Sequence, residues 1–185
     1  MNTTVESTTI PAGHWTADAS HSTVGFVVRH AGISKVRGAF KDFSATVTTG
    51  ENLSETVVEA VLKADSFDSG DTNRDGHVKS ADFFDVEKFP ELTFRSTGLK
   101  QAGSEFTLEG DLTIKGITRP VVFDVEFNGV ARDPFGAFRA GLEGKAVISR
   151  KEFGITWNAA LETGGLLVSD KVTITLDLEF VLDES

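Results

Sequence analysis

Residues 71–82 have the spacing of a calcium-binding loop. Oxygen-bearing side chains stand at the first, third, fifth and last positions of this segment, as Asp71, Asn73, Asp75 and Asp82, and Gly76 stands where such a loop must turn sharply. The last ligand position, however, holds Asp rather than the longer bidentate Glu, and the preceding residues alternate like a strand instead of forming a helix. The alternative is a polar loop that caps a helix, and we expect this second structure.

His77 is the second candidate for chemistry. Arg74, Asp75, Asp82 and Asp85 flank it in the sequence, and a His oriented by a carboxylate can act as a general base, for which Asp75 is the preferred partner. The chain shows no nucleophile elbow and no phosphate-binding loop to accompany it. A hydrogen-bonded His at the foot of a loop is the alternative, and we expect a protein without catalytic residues.

The other three histidines do not form a recognisable metal motif. His14, His21 and His30 are seven and nine residues apart, which differs from the spacing of metal-binding histidines on a helix. Cys is absent, which excludes disulfides, thiol catalysis and thiolate metal sites. We therefore expect neither a metal nor a cofactor.

Length and charge restrict the class of protein further. The 185 residues include 18 Lys and Arg against 28 Asp and Glu, giving a net charge of −10. This length favours one domain, and an acidic surface repels the phosphates of nucleic acid. The N-terminus lacks the basic start and apolar stretch of a signal peptide, and no apolar run is long enough for a membrane-spanning helix. We expect a cytoplasmic protein that does not span a membrane.

Alternation of apolar and polar residues dominates the chain from Trp15 onward. A period of two indicates strands with one buried face, and the pattern is clearest at 106–114, 121–127, 138–148 and 172–182. Between Phe40 and Phe43 the apolar phase changes, which one additional residue near Asp42 explains as a bulge. About eight long strands result. Because closure removes exposed edges, we predict an all-β, antiparallel, eight-stranded barrel.

Two segments depart from this alternation. Residues 1–12 are rich in Thr and Ser and predict a flexible tail, so the barrel domain is predicted at 13–185. Residues 65–90 are rich in Gly and Asp, which is typical of a loop. Within them Ser80 is a plausible N-cap and Pro90 a terminator, which predicts a short helix near 80–89.

The aromatic residues are unevenly distributed among their types, with 15 Phe, 2 Trp and no Tyr. The predicted inward faces carry most of the Phe together with small residues such as Gly38, Ala60 and Gly110. Small inward residues leave space for a ligand, although glycine also relieves strain where a barrel bends. The residues alone favour an apolar cavity only slightly over a filled core.

Five sequence strings together resemble the YceI-like polyisoprenoid-binding family, over about residues 15–182. They are HSTVGFVVRH at 21–30, GAFKDF at 38–43, RDGHVKSADFFDVEKFP at 74–90, GDLTIKGITRPV at 110–121 and SRKEFGITWN at 149–158. The resemblance implies an extended lipocalin-like barrel around a tunnel for a polyisoprenoid, an isoprenoid quinone or a similar amphiphile. It also implies that a homodimer is common, without establishing a reaction.

With this resemblance we assign candidate site residues. The tunnel is predicted to be lined by Phe26, Val28, Phe40, Phe94, Phe106, Leu108, Phe123, Phe138, Leu142, Trp157, Ile174 and Leu176. A lipid head group is predicted to meet Arg74 and His77 as donors, with Asp75 holding one of them in place and with Phe83 and Phe84 at the entrance. The predicted function is non-catalytic carriage, storage or sequestration of the lipid. Two alternatives stay open, an enzyme on a prenyl or acyl lipid that uses His77 and Asp75, and a stress-related barrel with a solid core.

Overall fold

The computed structural model describes residues 10–162 and 164–184, so positions 1–9 of the predicted tail lie outside the described residues. The chain is built mainly from antiparallel strands. These are β1 (Gly13–Ala17), β2 (Thr23–His30), β3 (Ser34–Phe40), β4 (Phe43–Thr49), β5 (Val57–Lys63), β6 (Phe67–Asp68), β7 (Glu91–Ala102), β8 (Glu105–Ile114), β9 (Ile117–Arg132), β10 (Phe138–Ser149) and β11 (Val168–Leu182). The α-helix α1 (Thr72–Lys79) lies between β6 and β7.

The strands close into one barrel. The sheet order is β1-β4-β5-β7-β8-β9-β10-β11-β2-β3-β6, and β1 also pairs with β11. Strand β11 pairs with β2 over its first part and with β1 at Phe180–Leu182, so β1 and β2 act as one interrupted strand. In the same way β3 continues into β4, and β5 into β6. The predicted barrel of eight long antiparallel strands is confirmed.

The phase change predicted near Asp42 lies at the interruption between β3 and β4. There the Lys41 N–H donates to the Ser66 carbonyl at 3.2 Å, and the Lys63 N–H donates to the Asp42 carbonyl at 2.9 Å. Strand β3 pairs with β2 and β6, whereas β4 pairs with β1 and β5. The chain therefore pairs with different neighbouring strands before and after the interruption.

The helix lies earlier than predicted, and the position near 80–89 was wrong. Helix α1 spans Thr72–Lys79, with the Asp71 carboxylate accepting the Arg74 N–H at 3.0 Å as an N-cap. This hydrogen bond lowers the pKa of Asp71. Ser80 ends the helix instead of starting one, since its N–H and hydroxyl both donate to the His77 carbonyl. Residues after Ser80 form consecutive turns because their apolar side chains pack on the barrel rather than along a helix face.

One end of the barrel, which contains the turn between β9 and β10, is closed by a compact apolar cluster. Its centre is Trp15, which is 1% exposed and packs with Val130 and Phe180. The Trp15 indole N–H donates to the Pro11 carbonyl at 3.2 Å. This hydrogen bond satisfies the one polar group of a side chain that is otherwise surrounded by hydrocarbon.

A hydrogen-bonded ionic network holds the interruption between β1 and β2 against β10. The Asp18 carboxylate accepts from the Ser20 hydroxyl at 2.6 Å, from Arg139 Nη1 at 2.9 Å and from the ring of His21. These hydrogen bonds hold the pKa of Asp18 well below its usual range, and the bond from the Ser20 hydroxyl has the largest effect. Arg139 also donates to Asp133, so a single guanidinium links the β1–β2 interruption to the β9–β10 turn.

Within residues 10–162 and 164–184, no helix is long and apolar enough to cross a membrane.

Candidate functional site

A cavity of about 380 Å³ runs through the interior of the barrel. Its wall includes β11 residues from Val168 to Phe180, a stretch of about 40 Å along the strand at about 3.3 Å per residue. For a strand tilted by about 40° this corresponds to roughly 30 Å along the barrel axis. Side chains such as Phe26, Ala60 and Leu176 point inward and remain partly accessible, because this remaining surface faces the cavity. The cavity is thus long and narrow, and the interior is not a solid core.

Most of the predicted tunnel residues lie on this wall. They are Phe26, Val28, Phe40, Phe94, Phe106, Leu108, Phe123, Leu142, Trp157, Ile174 and Leu176. Phe138 does not line the cavity, and its assignment is corrected here. It is the first residue of β10, at the closed end, where it packs on the cluster around Trp15 and lies 5.0 Å from the Arg132 guanidinium carbon.

The charged and histidine residues of the wall gather at the opposite end, where β2 ends and β11 begins, whereas the neutral Thr56 precedes β5. Arg29, His30, Arg74, His77 and Arg150 lie there, and the first three are exposed. We call this end the mouth. A long apolar space with donors at one end matches an amphiphile that carries its polar group at one end.

His77 and two aromatic side chains form one wall of the mouth. The His77 ring lies 4.6 Å from the Trp157 ring and 5.1 Å from the Phe83 ring, centroid to centroid, both nearly perpendicular. His77 Nε2 lies 2.9 Å from a carboxylate oxygen of Asp82. The structure therefore corrects the predicted His77–Asp75 pair, since α1 directs the two side chains differently and Asp82 is the carboxylate that contacts His77.

Arg74 is held at the mouth through Ser69. Its Nε donates to the Ser69 hydroxyl at 2.7 Å, and Nη2 donates to the Ser69 carbonyl at 2.8 Å. Asp75 accepts from both the N–H and the hydroxyl of Ser69, and is not itself on the cavity wall. Asp75 thus positions Arg74 indirectly, by fixing the serine to which the guanidinium is bound.

Phe84 belongs to an aromatic cluster that covers one side of the cavity. Its ring lies 5.7 Å from Phe40 and 6.1 Å from Phe67, and Phe67 stacks on Phe26 at 5.1 Å. Gly38 makes this stacking possible, because a Cβ at this position would lie 2.7 Å from the Phe67 ring. Phe84 therefore contributes to the wall as a packed ring, beside the polar mouth.

Arg150 is a site residue that the sequence analysis missed. It is 4% exposed and donates to four backbone carbonyls, those of Ser169, Ile155, Trp157 and Val168, at 2.9 to 3.2 Å. Burial lowers the pKa of its guanidinium below the ordinary value, but an arginine stays charged in proteins. A guanidinium has five N–H groups, so one on Nη2 has no acceptor among the described residues.

A signal for Arg150 was present in the alternation. Strand β10 turns its even-numbered residues inward, through Leu142, Ala146 and Ile148, and Arg150 continues the same phase. An Arg at the end of an inward-facing series indicates either the end of the barrel or a buried cation. The two possibilities are distinguished only by the carbonyl acceptors of Arg150, which are distant in the sequence and meet it in the folded structure.

The calcium-loop spacing has a different structural basis. Asp71 caps α1, Asp75 binds Ser69 and Asp82 contacts His77, so the three carboxylates are directed to separate partners. In the ranges that the structure describes, no group of three or more His, Asp or Glu side chains is arranged to hold a metal ion.

Comparison with known proteins gives a consistent family. A model for the YceI-like domain matches residues 15–180. A UPF0312 protein of Staphylococcus aureus is 38% identical over 173 residues, covering 92% of this chain and 99% of its own length. Among solved structures, Burkholderia cenocepacia BcnA matches with a TM-score of 0.75 and 30% identity, over 88% of this chain and 98% of its own.

A more distant structure shares the fold alone. A polyisoprenoid binding domain from Saccharophagus degradans, implicated in plant cell wall breakdown, superimposes with a TM-score of 0.71. It is 14% identical and covers 91% of this chain and 98% of its own.

Proposed function

The chain belongs to the YceI-like domain family, and we propose that it is a non-catalytic lipid-binding protein. Its cargo is a polyisoprenoid, an isoprenoid quinone or a similar long-chain amphiphile, held in the barrel for carriage, storage or sequestration. The observation that carries the proposal is the long apolar cavity whose charged and histidine wall residues gather at one end. The polyisoprenoid binding described for the Saccharophagus degradans domain, which has the same fold, supports the choice of cargo.

The apolar part of the cavity suits an isoprenoid tail. Such a tail has no hydrogen-bonding groups, so its affinity comes from the apolar surface removed from water, about 25 cal/mol per Å² before the costs of association. A Phe-lined wall offers this surface without a hydroxyl that would need a partner, and the chain contains no Tyr. The estimated length of roughly 30 Å favours an extended chain over a compact ligand.

The mouth suits an oxygen-bearing head group. Arg74 and Arg150 offer N–H donors and positive charge, while His77 offers a ring nitrogen. Carbonyl, hydroxyl or phosphate oxygens of a head group can accept hydrogen bonds from these side chains. A lipid would therefore enter tail first and leave its head at the mouth.

Two measurements test the assignment. Mass spectrometry of an organic extract of the purified protein should identify a prenyl lipid. In a second experiment, ubiquinone is titrated into lipid-stripped protein, and Trp emission should be quenched, since Trp157 is on the cavity wall. The Trp157→Phe variant should lose most of this response, because Trp15 is buried off the wall. Absence of both a bound lipid and any quenching would contradict the proposal.

The non-catalytic part of the proposal is tested at His77. Because this ring contacts the Asp82 carboxylate beside the cavity, it has the arrangement that an acid–base catalyst would use. We expect ubiquinone and polyprenol incubated with the protein to be recovered unchanged. A product that forms with the wild type and not with His77→Gln would assign an enzymatic function instead.

A further inference from the structure

Positive charge is concentrated in one segment of this acidic protein. Residues 19–41 contain Arg29, Lys35, Arg37 and Lys41 and no Asp or Glu, whereas the whole chain has a net charge of −10. This segment forms the β2–β3 hairpin, which lies between β11 and β6 in the sheet. The hairpin is thus a local basic surface on a molecule that otherwise repels anions.

The hairpin presents these cations together on one face. Arg29 lies directly opposite Lys35, and Arg37 is two residues further along β3, so the three side chains share a side of the sheet. Like charges directly opposite each other on paired strands are destabilising. Across the described part of the chain, none of these three cations forms a salt bridge with a carboxylate. Folding therefore leaves an uncompensated basic face.

The tip of the hairpin is apolar. Ile33 is 86% exposed, and Leu166, on the neighbouring loop, is 53% exposed. The two segments are held side by side, because the Ala31 N–H donates to the Leu167 carbonyl at 2.7 Å. In an anionic bilayer, hydrocarbon lies beneath negatively charged head groups. An exposed apolar tip that is followed by cations is complementary to such a surface.

The hairpin stands directly beside the mouth of the cavity. Arg29, His30 and Leu167 belong to both structures, since they line the cavity and also form the base of the tip. A bilayer that covered Ile33 and Leu166 would therefore face the opening through which a lipid passes. By contrast, Phe135, a strongly exposed aromatic side chain, lies on the β9–β10 turn at the closed end.

We propose that the β2–β3 hairpin and the adjacent loop at Leu166 form a docking face for an anionic lipid bilayer, which holds the mouth against the membrane during lipid transfer. The inference rests on the proposed function, since docking at the mouth serves a protein whose cargo comes from a membrane. Ile33 and Leu166 insert among the acyl chains, while Lys35 and Arg37 contact lipid phosphates.

Flotation with vesicles tests this face separately from cavity binding. Wild-type protein is mixed with phosphatidylcholine vesicles with or without phosphatidylglycerol, in the absence of prenyl lipid. We expect binding only to the anionic vesicles, with weakening at high salt. The double variant Lys35→Gln and Arg37→Gln should bind about 25-fold less, at about fivefold per cation. Ile33→Ser should lose at least about fivefold.

Matched controls lie at the closed end of the barrel. Phe135→Ser removes an aromatic side chain that is 95% exposed, and Lys100→Gln removes a cation near the end of β7, so both should bind vesicles like the wild type. Quenching by detergent-dispersed ubiquinone should be unchanged in the hairpin variants.

Any other result for vesicle binding contradicts the docking face. Vesicle binding that is absent, indifferent to phosphatidylglycerol or equally reduced by the control variants would overturn it, and retained quinone quenching in that case would leave the proposed function intact. Light scattering that shows a dimer converted to a monomer by Ile33→Ser, with vesicle binding unchanged, would assign the tip to self-association. Absence of both quinone quenching and an extractable prenyl lipid in the wild type would instead contradict the proposed function.

Discussion

Substituting Ala60 by Leu should separate ligand binding from stability. Ala60 lies on β5, opposite Ala45 on β4 and Phe94 on β7, and its side chain is on the cavity wall. The three added carbon atoms of Leu would extend into the cavity. They would occupy space that the tail of a bound lipid would otherwise fill.

The substitution should weaken lipid binding and raise the free energy of unfolding of the lipid-free protein. Three carbons at about 0.8 kcal/mol each correspond to about 2.4 kcal/mol of hydrocarbon burial. A lipid that loses this burial should bind roughly 60-fold more weakly, since about 1.4 kcal/mol is a factor of ten. The lipid-free protein buries the same carbons on folding, so its free energy of unfolding should rise by up to about 2 kcal/mol.

The assay is ubiquinone titration followed by Trp157 quenching, combined with urea denaturation of lipid-stripped protein. Ala140→Leu is the matched control, because Ala140 is 4% exposed and off the cavity wall. There the same carbons overpack a filled site and should destabilise by about 1–3 kcal/mol. If Ala60→Leu left quinone affinity unchanged in a folded protein, the cavity would not be the site of the tail and the reasoning would be refuted.

Three further predictions test how the barrel is held together. Gly110→Ala should lower the free energy of unfolding by about 2 kcal/mol or more, because its Cβ would collide with the Phe94 ring, whereas Gly98→Ala, which has no close neighbour, should stay within about 0.5 kcal/mol in urea denaturation. Asp18 has a lowered pKa in the folded state, so its stabilisation is complete above the unfolded pKa of about 4 and is lost as the pH falls below it. Asp18→Asn should therefore be less stable than the wild type at pH 7, and the difference should shrink at about pH 3; an equal difference at both pH values would contradict this. Ala31→Asn should raise the melting temperature by a few degrees, because Ala31 has a φ of +53°, which Asn adopts more readily; an unchanged or lower value in calorimetry would contradict this.

The barrel could be predicted from the sequence because the responsible signals are local. Alternation identifies each strand, and the phase change near Asp42 locates the interruption between β3 and β4. The helix was misplaced because Asp71 and Ser80 are both suitable caps, and the packing of the residues after each cap decides between them. After Ser80, the apolar side chains of Phe83 and Phe84 gain more by packing on the barrel than a helix would gain from its own hydrogen bonds.

The polar mouth was less predictable because its contacts are set by side-chain direction. Asp75 and Asp82 are both near His77 in the sequence, and only the path of the chain through α1 and the following turns decides which carboxylate reaches the ring. The same holds for Ser69, which connects Arg74 to Asp75. Sequence proximity identifies the residues of such a cluster, but not their pairing.

The non-local contacts of Arg150 make the two ends of the cavity different in polarity. Its acceptors lie up to 19 residues away and are neutral carbonyls, so its positive charge is solvated by dipoles and meets no carboxylate within hydrogen-bonding distance in residues 10–162 and 164–184. The nearby Asp170 carboxylate is already bound to the Ser149 hydroxyl. A positive charge therefore remains at the mouth end, while the closed end around Trp15 is hydrocarbon.

An amphiphile inserted head first would bury its oxygen atoms among apolar side chains and lose their hydrogen bonds, at a cost of several kcal/mol. The distribution of polarity along the wall thus favours one orientation for the lipid that we propose as cargo, with its head beside Arg150.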